Sequence, residues 1–303
     1  MVGCAPPADR PGRGERGAQM TRVAVLGCGL MGSGIVEVCL RAGHETVVRE
    51  VNQELLDRGL KRLRDSLERG VQKGKLAAEE RDAALKLLRP TTKVADVAGC
   101  DVIIEAIVED REAKKALWSE IAKHAQPGCL RATNTSSIPL SSLAPSCGDP
   151  VNFMGLHFMN PVPVMKLVEL VRGIESSDEC IARGKAFVEG LGKTTILAKD
   201  TPGFIINVLL VPYICEAVRL LEAGVATKED IDAGMMGGCN MPMGPITLLD
   251  FVGLDTTLAI ADVLYGEFKD PKYAAPPLLR RMVESGFYGR KNGRGFYDYR
   301  SAK

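Results

Sequence analysis

The chain has only three histidines, and one of them is placed where an acid or base could act. His157 follows the apolar segment "VNFMGL", which is typical of a strand. In an open parallel sheet, ligands bind beyond the carboxyl ends of the strands. His44 instead precedes a predicted strand, and His124 lies on a charged predicted helix beside Lys123. We therefore expect His157 to be the histidine that reaches a bound ligand.

A single carboxylate, Glu169, lies inside the apolar run "KLVELV" of the next predicted strand. Burying an unpaired carboxylate is costly, so Glu169 needs a partner. His157, on the preceding segment and joined to it by a proline-containing turn, is the natural candidate. A His–Glu pair fixes the imidazole tautomer and favours its protonated form, which suits a general base. The alternative interpretation is a structural histidine near the core.

Gly27, Gly29 and Gly32 form a G-x-G-x-x-G motif between the predicted strand "RVAVLG" and a predicted helix. In that context the motif indicates a dinucleotide-binding loop, whose amides and helix N-terminus meet a pyrophosphate. An acidic residue that binds the ribose is expected about 20 residues further on. Glu50 takes this place, and its carboxylate would repel a 2′-phosphate, which favours NAD over NADP. Arg49 could accommodate that phosphate, but neighbouring side chains of a strand point in opposite directions.

These residues need a sheet and helices to position them. Short apolar runs alternate with helical patterns up to about residue 200, and only helical patterns follow. The sequence therefore predicts a Rossmann-like α/β domain at residues 21–200, with a helical pair inserted at residues 53–88, and an all-α domain at residues 201–303. Residues 1–20 are rich in Pro, Gly and Arg, and we expect them to be a disordered extension.

The composition excludes several classes of protein. The chain has 303 residues and a net charge of +1, which does not favour binding to nucleic acid or a membrane surface. Its cysteines form no C-x-x-C pair and no metal-ligand spacing, so no metal is expected. Scattered cysteines fit a reducing compartment. We expect a cytoplasmic location in preference to the mitochondrial matrix.

Several segments together resemble one family. The sequence is similar to short-chain L-3-hydroxyacyl-CoA dehydrogenases, including the bacterial 3-hydroxybutyryl-CoA dehydrogenases. The resemblance covers residues 22–299 and rests on "GCGLMGSGI", "VIIEAIVED", "TNTSSIP", "GLHFMNPVPVMKLVELV", "KDTPGFIINVLLVPY" and "GRKNGRGFYDY". It implies reversible oxidation of a (3S)-3-hydroxyacyl-CoA, in particular 3-hydroxybutyryl-CoA, to the 3-oxoacyl-CoA with NAD as the cofactor.

The resemblance also implies roles for individual residues. His157 would be the catalytic base with Glu169 as its orienting partner, and Ser136 and Asn207 would bind the 3-oxygen of the substrate. Ser66 and Lys73 would contact coenzyme A from the inserted helical pair. The implied cofactor contacts are Gly27, Gly29, Leu30, Met31, Gly32, Glu50, Glu109, Lys114, Asn160 and Lys291.

Relatives form homodimers through the helical domain, so the resemblance implies a homodimer here as well. Two other functions remain open at this point. One is an L-gulonate-type sugar-acid dehydrogenase of the same fold. The other is a non-catalytic structural protein like the lens crystallins of this superfamily. Ser66 and Lys73 favour the CoA ester over the sugar acid, and the intact set of Ser136, His157, Glu169 and Asn207 favours an enzyme.

Overall fold

The computed structural model describes residues 21–300, so the predicted disordered extension lies outside the described residues. The described part contains one eight-stranded sheet in the order β3-β2-β1-β4-β5-β6-β7-β8. Its strands are β1 (Arg22–Leu26), β2 (Glu45–Arg49), β3 (Leu88–Thr91), β4 (Val102–Glu105), β5 (Leu130–Thr133), β6 (Phe153–Phe158), β7 (Leu167–Arg172) and β8 (Thr194–Lys199).

Strand direction changes once across this sheet. β1 to β6 run parallel to one another, β7 runs antiparallel to β6, and β8 is parallel to β7. The carboxyl ends of β1, β4, β5 and β6 therefore meet the start of β7 at one edge of the sheet. This edge is where an open α/β sheet binds its ligands.

Within residues 21–300 the α-helices are α1 (Leu30–Arg41), α2 (Gln53–Gln72), α3 (Ala78–Lys86), α4 (Arg111–Ile121), α5 (Asp178–Gly190), α6 (Ile206–Glu222), α7 (Lys228–Cys239), α8 (Pro245–Val252), α9 (Leu254–Phe268) and α10 (Pro277–Glu284). The predicted inserted pair is present as α2 and α3. The α/β arrangement followed by helices alone confirms the predicted fold class.

The side chains of each strand alternate between the two faces of the sheet, and helices cover both faces. Val23 and Val25 of β1 pack on one face with residues of α1, α2 and α5. Ala24 and Leu26 pack on the other face with α4, whose Trp118 meets the Phe153 ring edge-on at 5.1 Å between centroids. This explains why the strands appear in the sequence as continuous apolar runs.

Three details differ from the sequence predictions. β3 was not predicted, because its sequence "LRPT" is short and contains a proline, which an edge strand tolerates. The helical pattern of residues 246–264 has no break in the sequence but forms two helices, because Gly253 adopts φ +105° between α8 and α9. His157 does not follow its strand but is the fifth residue of β6.

The helices after β8 form a separate apolar core around α6, which packs against α8, α9 and α10. Residues 200–205 connect β8 to α6. None of the described helices is both long and apolar enough to cross a lipid bilayer.

Candidate active site

His157 and Glu169 face each other across the antiparallel β6–β7 pair. Directly opposed residues of a strand pair share one face of the sheet. The His157 Nδ1 atom lies 2.7 Å from Glu169 Oε2, so the pairing predicted from the sequence is present. Both side chains are buried. The carboxylate fixes the proton on Nδ1 and leaves Nε2 as the nitrogen that can exchange a proton with a ligand.

The second oxygen of Glu169 accepts hydrogen bonds from the first of the helices that follow the sheet. Oε1 accepts hydrogen bonds of 3.0 Å from the amides of Ile205 and Ile206, at the start of α6. A carboxylate at a helix N-terminus is stabilised by these amides and by the helix dipole. Phe204, just before them, contacts the His157 ring at 5.5 Å between centroids. The hydrogen bonds that both carboxylate oxygens accept therefore offset the free-energy cost of burying Glu169.

Ser136 and Asn207, the two residues expected to bind the substrate oxygen, lie close together. The Asn207 side-chain amide donates to the Ser136 carbonyl at 3.3 Å, which joins the loop after β5 to α6. Asn134 in the same loop accepts from the Phe158 amide at 2.9 Å and fixes that loop to the end of β6. The loop after β5, the β6–β7 pair and the start of α6 therefore meet at one place.

Glu109 organises the loop that carries Ser136. Its Oε1 accepts from the Thr135 hydroxyl at 2.5 Å and from the Ser136 and Ser137 amides at 2.9 and 3.1 Å. Burial by itself raises the pKa of this carboxyl. The charge of Lys114 and the hydrogen bonds outweigh burial, so that the pKa is lowered below its ordinary value of 4.5. Glu109 is therefore an anion that holds the serine loop in place.

Lys114 is fully buried rather than exposed to a cofactor. Its ammonium lies 2.6 Å from Glu105 Oε1 and 3.4 Å from Glu109 Oε2. In this arrangement Lys114 acts on Glu109, and its direct contact with the cofactor stays a prediction. Glu105 was missed in the sequence, although a carboxylate in the buried run "VIIEAI" has the same signature as Glu169. Glu105 Oε2 accepts a hydrogen bond from the Thr133 hydroxyl at 2.7 Å.

The glycine loop fits a dinucleotide. A Cβ atom on Gly27 would overlap the Ala106 carbonyl, and one on Gly32 would overlap the Gly27 carbonyl, so both positions require glycine. Gly29 faces open space, where a pyrophosphate can approach the backbone. Gly29 also begins α1, whose N-terminus has no side-chain cap, so its first amides are available to an anion. Leu30 and Met31 form the first turn of this helix.

Glu50 lies beside this loop as expected for a ribose contact. Its Oε2 accepts from the Cys28 amide at 2.8 Å. Arg49 turns away from it, and its Nε donates to the Thr92 carbonyl at 3.4 Å. Arg49 thus has a different partner, whereas Arg62 of α2 donates to the Cys28 carbonyl at 3.3 Å. The Glu50 carboxylate beside the glycine loop agrees with NAD as the cofactor.

The remaining predicted contacts are dispersed around the site. Ser66 is half-buried on α2, and Lys73 is exposed at the C-terminal end of that helix. Asn160 is exposed two residues beyond β6. Lys291 belongs to the segment after α10, and its ammonium lies 2.7 Å from Asp255 and 2.6 Å from the Thr256 hydroxyl. Direct ligand contacts of these four side chains stay predictions.

Known proteins resemble this chain over nearly its whole length. A 3-hydroxybutyryl-CoA dehydrogenase of Mycobacterium tuberculosis is 48% identical over 280 residues, which cover 92% of this chain and 98% of that protein. The crystal structure of FadB2 from M. tuberculosis matches with a TM-score of 0.91 and 47% identity, covering 92% of this chain and 99% of that one. The (S)-3-hydroxybutyryl-CoA dehydrogenase PaaH1 from Ralstonia eutropha matches with a TM-score of 0.87 and 40% identity, covering 93% and 99%.

Two family descriptions together cover the described chain. Residues 22–201 match "3-hydroxyacyl-CoA dehydrogenase, NAD binding domain", and residues 203–299 match "3-hydroxyacyl-CoA dehydrogenase, C-terminal domain". The eight-stranded sheet lies in the first matched range, and the helices after β8 lie in the second. The chain is therefore a member of the 3-hydroxyacyl-CoA dehydrogenase family.

Proposed function

We propose that the chain catalyses the reversible oxidation of (3S)-3-hydroxybutyryl-CoA, or a 3-hydroxyacyl-CoA of similar length, to the 3-oxoacyl-CoA. The observation that carries this proposal is the His157–Glu169 pair at the substrate edge of the sheet, beside the Ser136–Asn207 contact. When bound, NAD supplies the acceptor for the hydride that leaves carbon 3 of the substrate.

The protein's own residues supply the proton chemistry. His157 Nε2 takes the proton of the 3-hydroxyl, and the imidazolium that forms is stabilised by the carboxylate of Glu169. In the reverse direction the same nitrogen returns the proton to the oxygen. Ser136 and Asn207 hold the 3-oxygen close to Nε2, which is the geometry that proton transfer requires.

The CoA ester is expected to be recognised away from the reacting carbon. We infer from the family resemblance that Ser66 and Lys73 contact coenzyme A. Their separation of seven residues, about two helical turns, is consistent with this because it places them on one side of α2. The Lys73 ammonium would meet a phosphate as a point charge. Binding energy of this kind holds the acyl group at the reacting centre.

The direct test is the oxidation of NADH with acetoacetyl-CoA as the hydride acceptor. The rate is measured as the loss of NADH absorbance. We expect turnover with acetoacetyl-CoA and little with free acetoacetate, because acetoacetate lacks the CoA handle. The control is the His157→Gln protein, which should bind NADH without turnover. Oxidation of L-gulonate with NAD⁺, without activity on acetoacetyl-CoA, would instead identify a sugar-acid dehydrogenase. No turnover with either substrate would support a structural protein.

We also propose that the chain is a homodimer that associates through the helical domain, which we place at residues 201–303. Apolar side chains exposed on this part include Leu220, Val225, Tyr265 and Phe268. An interface on this domain would remove these apolar side chains from water. Light scattering during size-exclusion chromatography tests the mass, and a monomer would contradict the proposal. The cytoplasmic location remains a proposal that cell fractionation would test.

A further inference from the structure

Lys193 is a buried lysine that the proposed chemistry does not use. It lies between α5 and β8, and only 8% of its surface is exposed. Its ammonium donates 2.7 Å hydrogen bonds to the carbonyls of Val162 and Met165. Among residues 21–300 no carboxylate lies within ion-pair distance of Lys193, and the nearby Glu37 pairs with Arg41. Burial, together with the charge of Arg41, lowers the pKa of the Lys193 ammonium.

A buried cation that is bound only by carbonyls costs free energy, and an apolar residue of similar size would avoid that cost. The retention of a charged group here therefore needs a reason other than stability. The two carbonyls belong to the turn between β6 and β7. In this turn the amides of Val164 and Met165 both donate to the Pro161 carbonyl at 3.0 Å. Lys193 thus adds two hydrogen bonds to a turn that backbone hydrogen bonds already stabilise.

The same turn packs against the helix of the glycine loop. Val162 is 2% exposed and lies against Gly34 of α1. A Cβ atom on Gly34 would lie 2.9 Å from Val162 Cβ, which is closer than real Cβ atoms approach. The turn therefore contacts α1 five residues after Gly29, where that helix begins. It also follows β6, which carries His157, and it leads directly into β7, which carries Glu169.

We propose that Lys193 is a positioning residue of the dehydrogenase. Through the carbonyls of Val162 and Met165 it presses the β6–β7 turn onto Gly34, and this contact sets the distance between the nucleotide loop and His157. We call the contact of Lys193, Val162 and Gly34 the turn lock. Hydride and proton transfer require reacting atoms about 3–3.5 Å apart, and a misplacement of about 1 Å costs on the order of 100-fold in rate. The inference rests on the proposed function.

Lys193→Met removes the ammonium and keeps an unbranched side chain. We expect kcat with acetoacetyl-CoA to fall by about 10- to 100-fold, while the KM for acetoacetyl-CoA changes little, because the coenzyme A contacts lie elsewhere. Lys185→Met is the matched control. Lys185 lies on α5 and is exposed, and its one ion pair within residues 21–300 is with Glu189 at 3.8 Å, so its loss should leave kcat unchanged.

The other side of the turn lock can be changed independently. Gly34→Ala should displace Val162 and lower kcat in the same way. Adding Val162→Gly to Gly34→Ala removes both Val162 atoms that the new methyl group would meet, so the double variant should recover part of the lost kcat. Because Lys193 bonds to the Val162 carbonyl, this substitution leaves that hydrogen bond in place. A double variant that is slower than Gly34→Ala alone would overturn the proposal.

A readout that does not depend on turnover comes from the histidine ring signals in NMR spectra. The chain has three histidines, and His124, in the turn after α4, lies far from the lock in the sequence and serves as the reference. We expect Lys193→Met to shift the His157 signals and to leave those of His124 in place. An unshifted His157 signal, or a loss of kcat no greater than the loss of folded protein, would refute the positioning role. Failure of the unchanged protein to use acetoacetyl-CoA would refute the proposed function instead, and the NMR comparison would still decide the role of Lys193.

Discussion

Replacing Glu169 with glutamine should remove most of the activity while the protein stays folded. The carboxylate accepts hydrogen bonds at both oxygens: Oε2 from His157 Nδ1 at 2.7 Å, and Oε1 from the amides of Ile205 and Ile206 at 3.0 Å. Glutamine has one oxygen and one NH₂ group, so it can satisfy only one of these two sides.

The orientation of the glutamine follows from the cost of each choice. If its NH₂ group faced α6, the two partly buried amides of Ile205 and Ile206 would lose their acceptor at about 1–3 kcal/mol each. If its oxygen faces α6, the NH₂ group donates to His157 Nδ1, and the ring needs only to exchange its tautomer. The second orientation is favoured by roughly 2–6 kcal/mol before the smaller tautomer cost is subtracted. His157 then carries its proton on Nε2 and cannot accept one from the substrate.

The expected result is a fall in kcat of about 10²- to 10⁴-fold, the usual share of a general base. NADH binding should be nearly unchanged, and the urea midpoint should fall only slightly. Glu169→Ala is the contrasting variant, because it also leaves the α6 amides without an acceptor and should lower both kcat and the free energy of unfolding. Steady-state kinetics and urea titrations on both variants make the comparison. A Glu169→Gln enzyme that retains most of the original kcat would show that the tautomer argument is wrong.

Three further predictions concern other residues of the site. His157→Gln should abolish turnover and leave NADH fluorescence titrations nearly unchanged, whereas loss of NADH binding would mean that His157 is structural. Lys73→Ala should raise the KM for acetoacetyl-CoA more than it lowers kcat, and an unchanged KM would remove Lys73 from the CoA site. The lowered pKa of Glu109 predicts a stability contribution that is fully present above its ordinary value of 4.5 and is lost as the pH falls through the folded-state value. Urea unfolding over this acid range should therefore depend less on pH in Glu109→Gln than in the unchanged protein, and parallel pH profiles would contradict the assignment.

The sequence by itself determined the residues that local patterns identify. The glycine motif requires a strand before it and a helix after it, and both are visible as apolar periodicity. The choice of His157 followed from its position at the end of an apolar run, and the pairing with Glu169 followed from the cost of a lone buried carboxylate. The helical pair and the change from α/β to all-α were likewise visible, because strands and helices have different apolar periods. The individual ligand contacts, such as those of Ser66 and Asn160, came from family resemblance and remain to be tested.

The tertiary structure decided the contacts between residues that are distant in the sequence. A carboxylate in an apolar run requires partners, and the sequence offered His157 as one of them. It did not indicate that the other oxygen of Glu169 accepts hydrogen bonds from the amides at the start of α6. In the same way, the resemblance implied a cofactor contact for Lys114 but not its burial beside Glu105 and Glu109. The sequence around Lys193 does not predict the burial of that lysine. β3 was missed because a short edge strand with Pro90 is stabilised by pairing with β2 rather than by its own sequence. Burial and hydrogen-bond partners are properties of the packed chain, so they appear only when its elements are assembled.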